Sequence, residues 1–185
     1  MASSRFSPIA AIVAASLLLG ACGKTDTDPN TVSPAATLEM TSAVSGALLT
    51  VQNDGRSATP SPTPGARAHR GDGVTVKTSG SQLDRNMGTV ELTVIAQSLV
   101  CENRDLGGNL VSGVPASGPD IDHVQASDGQ PTALQIASYD LDDFLRQVTC
   151  PTDFDDRLVG TFLFRVVATN IKGKTTEVSA TLDIY

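Results

Sequence analysis

The sequence predicts a mainly β protein, an antiparallel β-sandwich with one short helix, and three observations carry that expectation. In the C-terminal part, Phe162, Phe164, Val166 and Ala168 fall on one face of a stretch starting at Thr161, and Val178, Ala180, Leu182 and Ile184 do the same in the last stretch. Between them Asn170-Ile171-Lys172-Gly173-Lys174 supplies turn chemistry and a Gly able to take positive φ, so the two stretches read as a hairpin. The same period of two recurs upstream, where Val90, Leu92, Val94 and Ala96 alternate with Glu91, Thr93 and Gln97. A chain of 185 residues is long enough for one modest domain with extensions. Its net charge of −7 argues against a nucleic-acid footprint and against a polybasic membrane-surface patch, both of which gather Lys and Arg on one face.

Taken from the N-terminus, Met1 to Ala21 has one basic residue, Arg5, and an apolar run from Ile9 to Leu19 broken only by Ser16. As a helix this run covers about 16 Å, roughly half of a bilayer's hydrocarbon core, so residues 1–21 read as a signal peptide and not as a membrane span. The run ends in Leu19-Gly20-Ala21-Cys22, which resembles the lipobox of bacterial lipoproteins. The resemblance implies that Cys22 is diacylglycerated, becomes the mature N-terminus and anchors the protein in a membrane through two or three acyl chains, enough for stable attachment. An ordinary signal peptide with a chance Cys at its cleavage site is the alternative. Gly23 stands where an Asp would signal inner-membrane retention in enterobacteria, so the analogy points to the outer membrane; Gram-positive lipoproteins share the lipobox. The expected location is therefore lipid-anchored on the cell membrane or outer membrane, facing periplasm or exterior. Cleavage removes Arg5 from 13 basic residues and none of the 20 acids, leaving a net charge of −8.

Residues 22–72 read as anchor, tether and linker. Gly23 to Pro34 is polar and without apolar periodicity, as a solvated tether should be. Residues 35–53 are ambiguous: Met40, Val44, Leu48 and Val51 fall at helical spacing behind Ser33-Pro34, whereas the Thr and Val content suits strands. The reading leans to a short helix. Arg56 to Gly73 collects Pro and Gly and reads as an extended linker or long loop. It contains Arg70-Gly71-Asp72, which resembles integrin-binding tripeptides; loops collect these residues anyway, and the plain linker reading is favoured.

The sandwich itself is expected over 73–185. Val74 and Val76 begin the alternation, and further strands fall near Ile121 to Ala126 and Thr132 to Ser138. One helix interrupts them: Asp140 can cap it, Asp143 stands at capping-box spacing, and Leu141, Phe144, Leu145 and Val148 share a face that closes one end of the core. The stretches VELTVIAQS at Val90 to Ser98 and GTFLFRVVATNIKGKTTEVSATLDI at Gly160 to Ile184 resemble strands of bacterial Ig-like domains of the broad Ig and fibronectin type III kind. That resemblance implies an Ig-like β-sandwich and no particular activity. The chain lacks the Trp and the Cys placement of antibody-type domains.

With Cys22 assigned to lipid, Cys101 and Cys150 are expected to pair in an oxidising envelope compartment; two isolated Cys without a nearby His pair make no zinc pattern. The bridge would bring both to one end of the sandwich, which favours two strand crossings between them instead of the three of a standard Ig domain. Neither His69 nor His123 has a nucleophile and an orienting acid nearby in sequence, so no catalytic residue is assigned. Asp140, Asp142, Asp143, Asp153, Asp155 and Asp156 flank Cys150 and are weak candidates for Ca²⁺, with helix capping and a solvated acidic loop the favoured explanation. Few aromatic rings are left for a sugar platform. The expected function is a non-enzymatic envelope lipoprotein whose β-sandwich binds or scaffolds a protein partner, with Glu102 to Pro119 as the contact loop. A small-ligand or Ca²⁺-dependent binding lipoprotein is the alternative, and a hydrolase accessory domain or cryptic enzyme comes third.

Overall fold

A computed structural model describes residues 32–56, 63–82, 85–129, 131–152, 154 and 157–185. Among the described residues ten strands and one helix follow in chain order: β1 (Ala35–Ser42), β2 (Gly46–Asn53), β3 (Gly65–Ala68), β4 (Val74–Ser81), β5 (Met87–Arg104), β6 (Leu110–Pro115), β7 (Ile121–Ser127), β8 (Ala133–Asp140), α1 (Leu141–Leu145), β9 (Arg157–Asn170) and β10 (Thr175–Ile184). They form two sheets, β2-β1-β4-β8 and β3-β10-β9-β5-β6, with β7 also paired to β5. The protein is a β-sandwich. All pairings are antiparallel except that of β3 with β10.

The alternation seen in the sequence is the inside-outside alternation of the core. Val90, Leu92 and Val94 of β5, Phe162, Phe164, Val166 and Ala168 of β9, and Ala180 and Leu182 of β10 are fully buried from one sheet; Leu38, Met40 and Val76 meet them from the other. The β9–β10 hairpin forms as read, with Gly173 at φ 76 and the Asn170 side-chain oxygen accepting from the backbone N–H groups of Lys172 and Lys174. Gly160 is required for a different reason: a Cβ there would overlap the Ser98 carbonyl oxygen, beside the irregularity in β5 between Ala96 and Ser98.

Residues 35–53 correct the helical reading. They form the β1–β2 hairpin, because Ala36, Leu38, Met40 and Ser42 alternate into the core while their neighbours face out. The helical spacing of Met40, Val44, Leu48 and Val51 was coincidental: Val44 lies exposed in the turn. The folded unit thus takes in strands upstream of residue 73, including β3, four residues of the expected linker that pair in parallel with β10. Residues 57–62 of that linker lie outside the described residues.

β5 is long because two successive strands flank it. β7 pairs with Thr89–Ile95 and β6 with Val100–Arg104, both running opposite to β5, so together they return along it once. β8 then runs back in the other sheet and α1 follows it. Two crossings therefore separate Cys101 from Cys150, whose Cα atoms are 5.6 Å apart across a disulfide. The helix lies where expected. The Asp140 side chain accepts from the backbone N–H of Asp142, while Asp143 pairs with Arg146 instead of completing a capping box. Phe144 sits edge-on to Phe162, ring centroids 5.4 Å apart, and closes that end of the core.

Candidate functional site

The two ends of the sandwich differ. At one end, the entry pole, lies Val32, the first of the described residues, whose carbonyl oxygen accepts from the buried side-chain amides of Gln82 at 3.0 Å and Asn170 at 3.1 Å. The end of β9 and the 171–174 turn lie there. The strand registers put the other features at the opposite, far pole: Ser42 pairs with Val74, Thr75 with Asp140, Ala68 with Ile184, and Glu102 with Arg157. The β1–β2 turn, the 69–73 turn, α1, the disulfide, the start of β9 and the β5–β6 tip therefore share one end. A strand as long as β9 covers about 45 Å, so the poles are well separated.

A cleft of about 290 Å³ opens at the far pole, lined by His69, Arg70, Arg157, Leu158 and Tyr185. The parallel pairing of β3 with β10 brings His69 onto Tyr185, with ring centroids 4.0 Å apart and His69 Nδ1 3.3 Å from the Tyr185 carbonyl oxygen. Arg67 lies over the same ring, its guanidinium carbon 4.6 Å from the centroid, a cation–π contact. Arg157 Nε stands 3.9 Å from Glu102 Oε2.

Beside the cleft the expected contact loop is mostly strand. Glu102 to Pro119 contains the end of β5 and the whole of β6, which narrows the loop to a tip at 105–109. That tip is tightly built: Asp105 Oδ1 accepts from the backbone N–H groups of Gly107 at 2.9 Å and Asn109 at 2.8 Å, and the Asn109 side-chain amide donates to both oxygens. These donors, the Asn109 amide foremost, hold the Asp105 carboxyl below its usual range. Arg104 donates to the Gly108 carbonyl at 2.8 Å and is itself held by Glu102. The tip presents Leu106 fully exposed, and Leu110 and Val111 lie exposed on β6, which pairs only with β5. Three exposed apolar side chains thus gather at a hydrogen-bonded tip. The sequence singled out this segment but not its strand pairing, since Leu110-Val111-Ser112-Gly113-Val114 behind Gly107-Gly108 reads equally as loop.

The remaining candidates scatter. Cys22, Asp153, Asp155 and Asp156 lie outside the described residues. Asp140 caps α1, Asp142 sits in its first turn and Asp143 pairs with Arg146; no cluster able to hold a metal occurs among the described residues. Asp72 does not project from Arg70-Gly71-Asp72 but closes its own turn, accepting from the His69 backbone N–H at 2.8 Å. His123 is half-exposed on β7, 3.8 Å from Glu91. Tyr139, buried on β8, donates to Asp122 on β7 at 2.9 Å and ties the two sheets together; burial first and the Asp122 carboxylate second push its hydroxyl pKa up. Among the described residues no helix is long and apolar enough to cross a membrane. The chain matches no protein-family model and no curated protein, so its functional reading rests on the residues themselves.

Proposed function

We propose that this protein is a lipid-anchored envelope lipoprotein whose β-sandwich is a non-enzymatic protein-binding or scaffold module working through its far pole. One observation carries the reading: Val32, the first of the described residues, lies at the pole opposite the cleft, the turns and the apolar β5–β6 tip. An anchor at Cys22 attaches ten residues before Val32, a reach of at most about 35 Å, so the entry pole would face the bilayer and the far pole would point away from it. Loops displayed on a rigid sandwich at the end remote from the attachment suit recognition.

Fractionation of native cells tests the anchor, and crosslinking in intact membranes followed by mass spectrometry tests the module. The protein is expected in the membrane fraction, a Cys22→Ser form in the soluble fraction, and one recurrent partner is expected to crosslink only to the anchored form. A soluble wild type, or no recurrent partner, would count against the proposal. The far-pole cleft supports a second reading, a small-ligand binding lipoprotein. Of the acidic residues proposed for a Ca²⁺-dependent version, Asp140 caps α1 and Asp143 pairs with Arg146, while Asp153, Asp155 and Asp156 lie outside the described residues.

A further inference from the structure

We propose that the far-pole cleft binds an oxyanion, a carboxylate or a phosphate group, held chiefly by the Arg157 guanidinium. Among the described residues the side-chain carboxylate facing Arg157 is that of Glu102, and its Oε2 already receives Arg104 Nε at 2.7 Å and Nη2 at 2.6 Å. Arg157 Nε, at 3.9 Å, is beyond hydrogen-bond distance of that oxygen. One carboxylate cannot neutralise two guanidinium groups, and Arg104 holds it by the closer contacts. Arg157 is left facing the cleft with a planar fork of N–H donors, the group best matched to carboxylate and phosphate oxygens.

The rest of the lining suits the same ligand. His69 and Arg70, on the turn leading out of β3, also line the cleft, Arg70 with a partner of its own. The contacts of His69 with Tyr185 fix the imidazole in place, so it need not be ordered when a ligand arrives. Leu158 and the Tyr185 ring add apolar lining. Asp72 accepts from the His69 backbone N–H at 2.8 Å and Asp183 from the Thr161 hydroxyl at 2.7 Å, bonds that fix both carboxylates in place and leave their charge unchanged. A volume of about 290 Å³ is room for one small anionic group. The inference deepens the far-pole reading on which its biological meaning rests, since it names what a partner or ligand would offer there.

The chain has two histidines, one in the cleft and one on β7, and these supply probe and internal control. The full-length protein in nonionic detergent is titrated at fixed pH and ionic strength with sodium acetate or sodium phosphate replacing chloride, while the two imidazole C2 proton resonances are followed. The His69 signal is expected to move along a saturating curve with at least one anion, and the His123 signal to hold. Arg157→Gln is expected to raise the half-saturating concentration at least about tenfold, as loss of a charge-assisted partner does. Arg157→Lys, which keeps the charge at the start of β9 and loses the fork, is expected to weaken acetate more than phosphate. Tighter saturation by acetate assigns the natural group to carboxylates, and tighter saturation by phosphate assigns it to phosphates. Parallel, unsaturating drift of both histidine signals overturns the proposal, as does equal saturation in the wild type and both variants. The titration involves no membrane partner, so its failure would leave the crosslinking result standing, and the reverse also holds.

Discussion

Asp105 organises the β5–β6 tip through a single carboxylate that gathers the N–H groups of residues 107 and 109 and the Asn109 side chain. Its lowered pKa fixes the sign of a pH effect. A carboxyl whose pKa is lower folded than unfolded adds to the tip's order at neutral pH; that order begins to fall near the ordinary Asp value of about 3.9 and is lost as pH drops through the lowered one. Amide resonances of Gly107 and Asn109 are expected to shift together at acid pH, with those of β9 unchanged. Asp105→Ala should produce the same loosening at neutral pH with little change in melting temperature; an unchanged tip in that variant would contradict the role. Tyr139 differs because it is buried and joins β8 to β7 through Asp122. Tyr139→Phe keeps the ring and removes the bond, so denaturant unfolding is expected to show a loss of about 1 kcal/mol. With its hydroxyl pKa raised in the folded state, the wild-type contribution is full below about pH 10, the unfolded value, and declines above it.

At the scale of elements, α1 acts as a plug. Five residues cannot hold a helix alone, and what fixes this one is the Asp140 cap and the burial of Leu141, Phe144 and Leu145 over the end of the core. Phe144→Ala is expected to cost about 3–5 kcal/mol in equilibrium unfolding, against about 1 kcal/mol for Asp140→Ala. A near-neutral Phe144→Ala would mean that the plug does not close the core. These features were legible in the sequence: the i, i+3, i+4 spacing behind Asp140, the alternation in β5, β9 and β10, and the Asn170–Lys174 turn are local patterns. β1, β2 and β3 were not. Met40, Val44, Leu48 and Val51 satisfy a helical period by accident, and only pairing with β4 in space decides for strand. β3 is four residues in a Gly- and Arg-rich run, formed because β10 offers it a partner. The cleft was hidden for the same reason, since it joins residues near 70, 157 and 185 through a parallel pairing that no local pattern announces.

For the whole molecule, the disulfide and the pole geometry matter most. Cys101–Cys150 closes a separation of 49 residues and ties the end of β5 to the segment between α1 and β9. Reduction is expected to lower stability by up to about 4 kcal/mol in the chain-entropy model, read as a drop in melting temperature under mild reductant. A Cys101→Ala/Cys150→Ala variant melting like the oxidised protein would contradict this. The central claim is that the far pole is the working end. The most direct measurement places a photo-crosslinker at Leu106 on the far pole or at Lys172 on the entry pole of the anchored protein in native membranes. Protein crosslinks at 106, with lipid or no product at 172, are the expected result. Protein crosslinks at 172 and none at 106 would contradict the account.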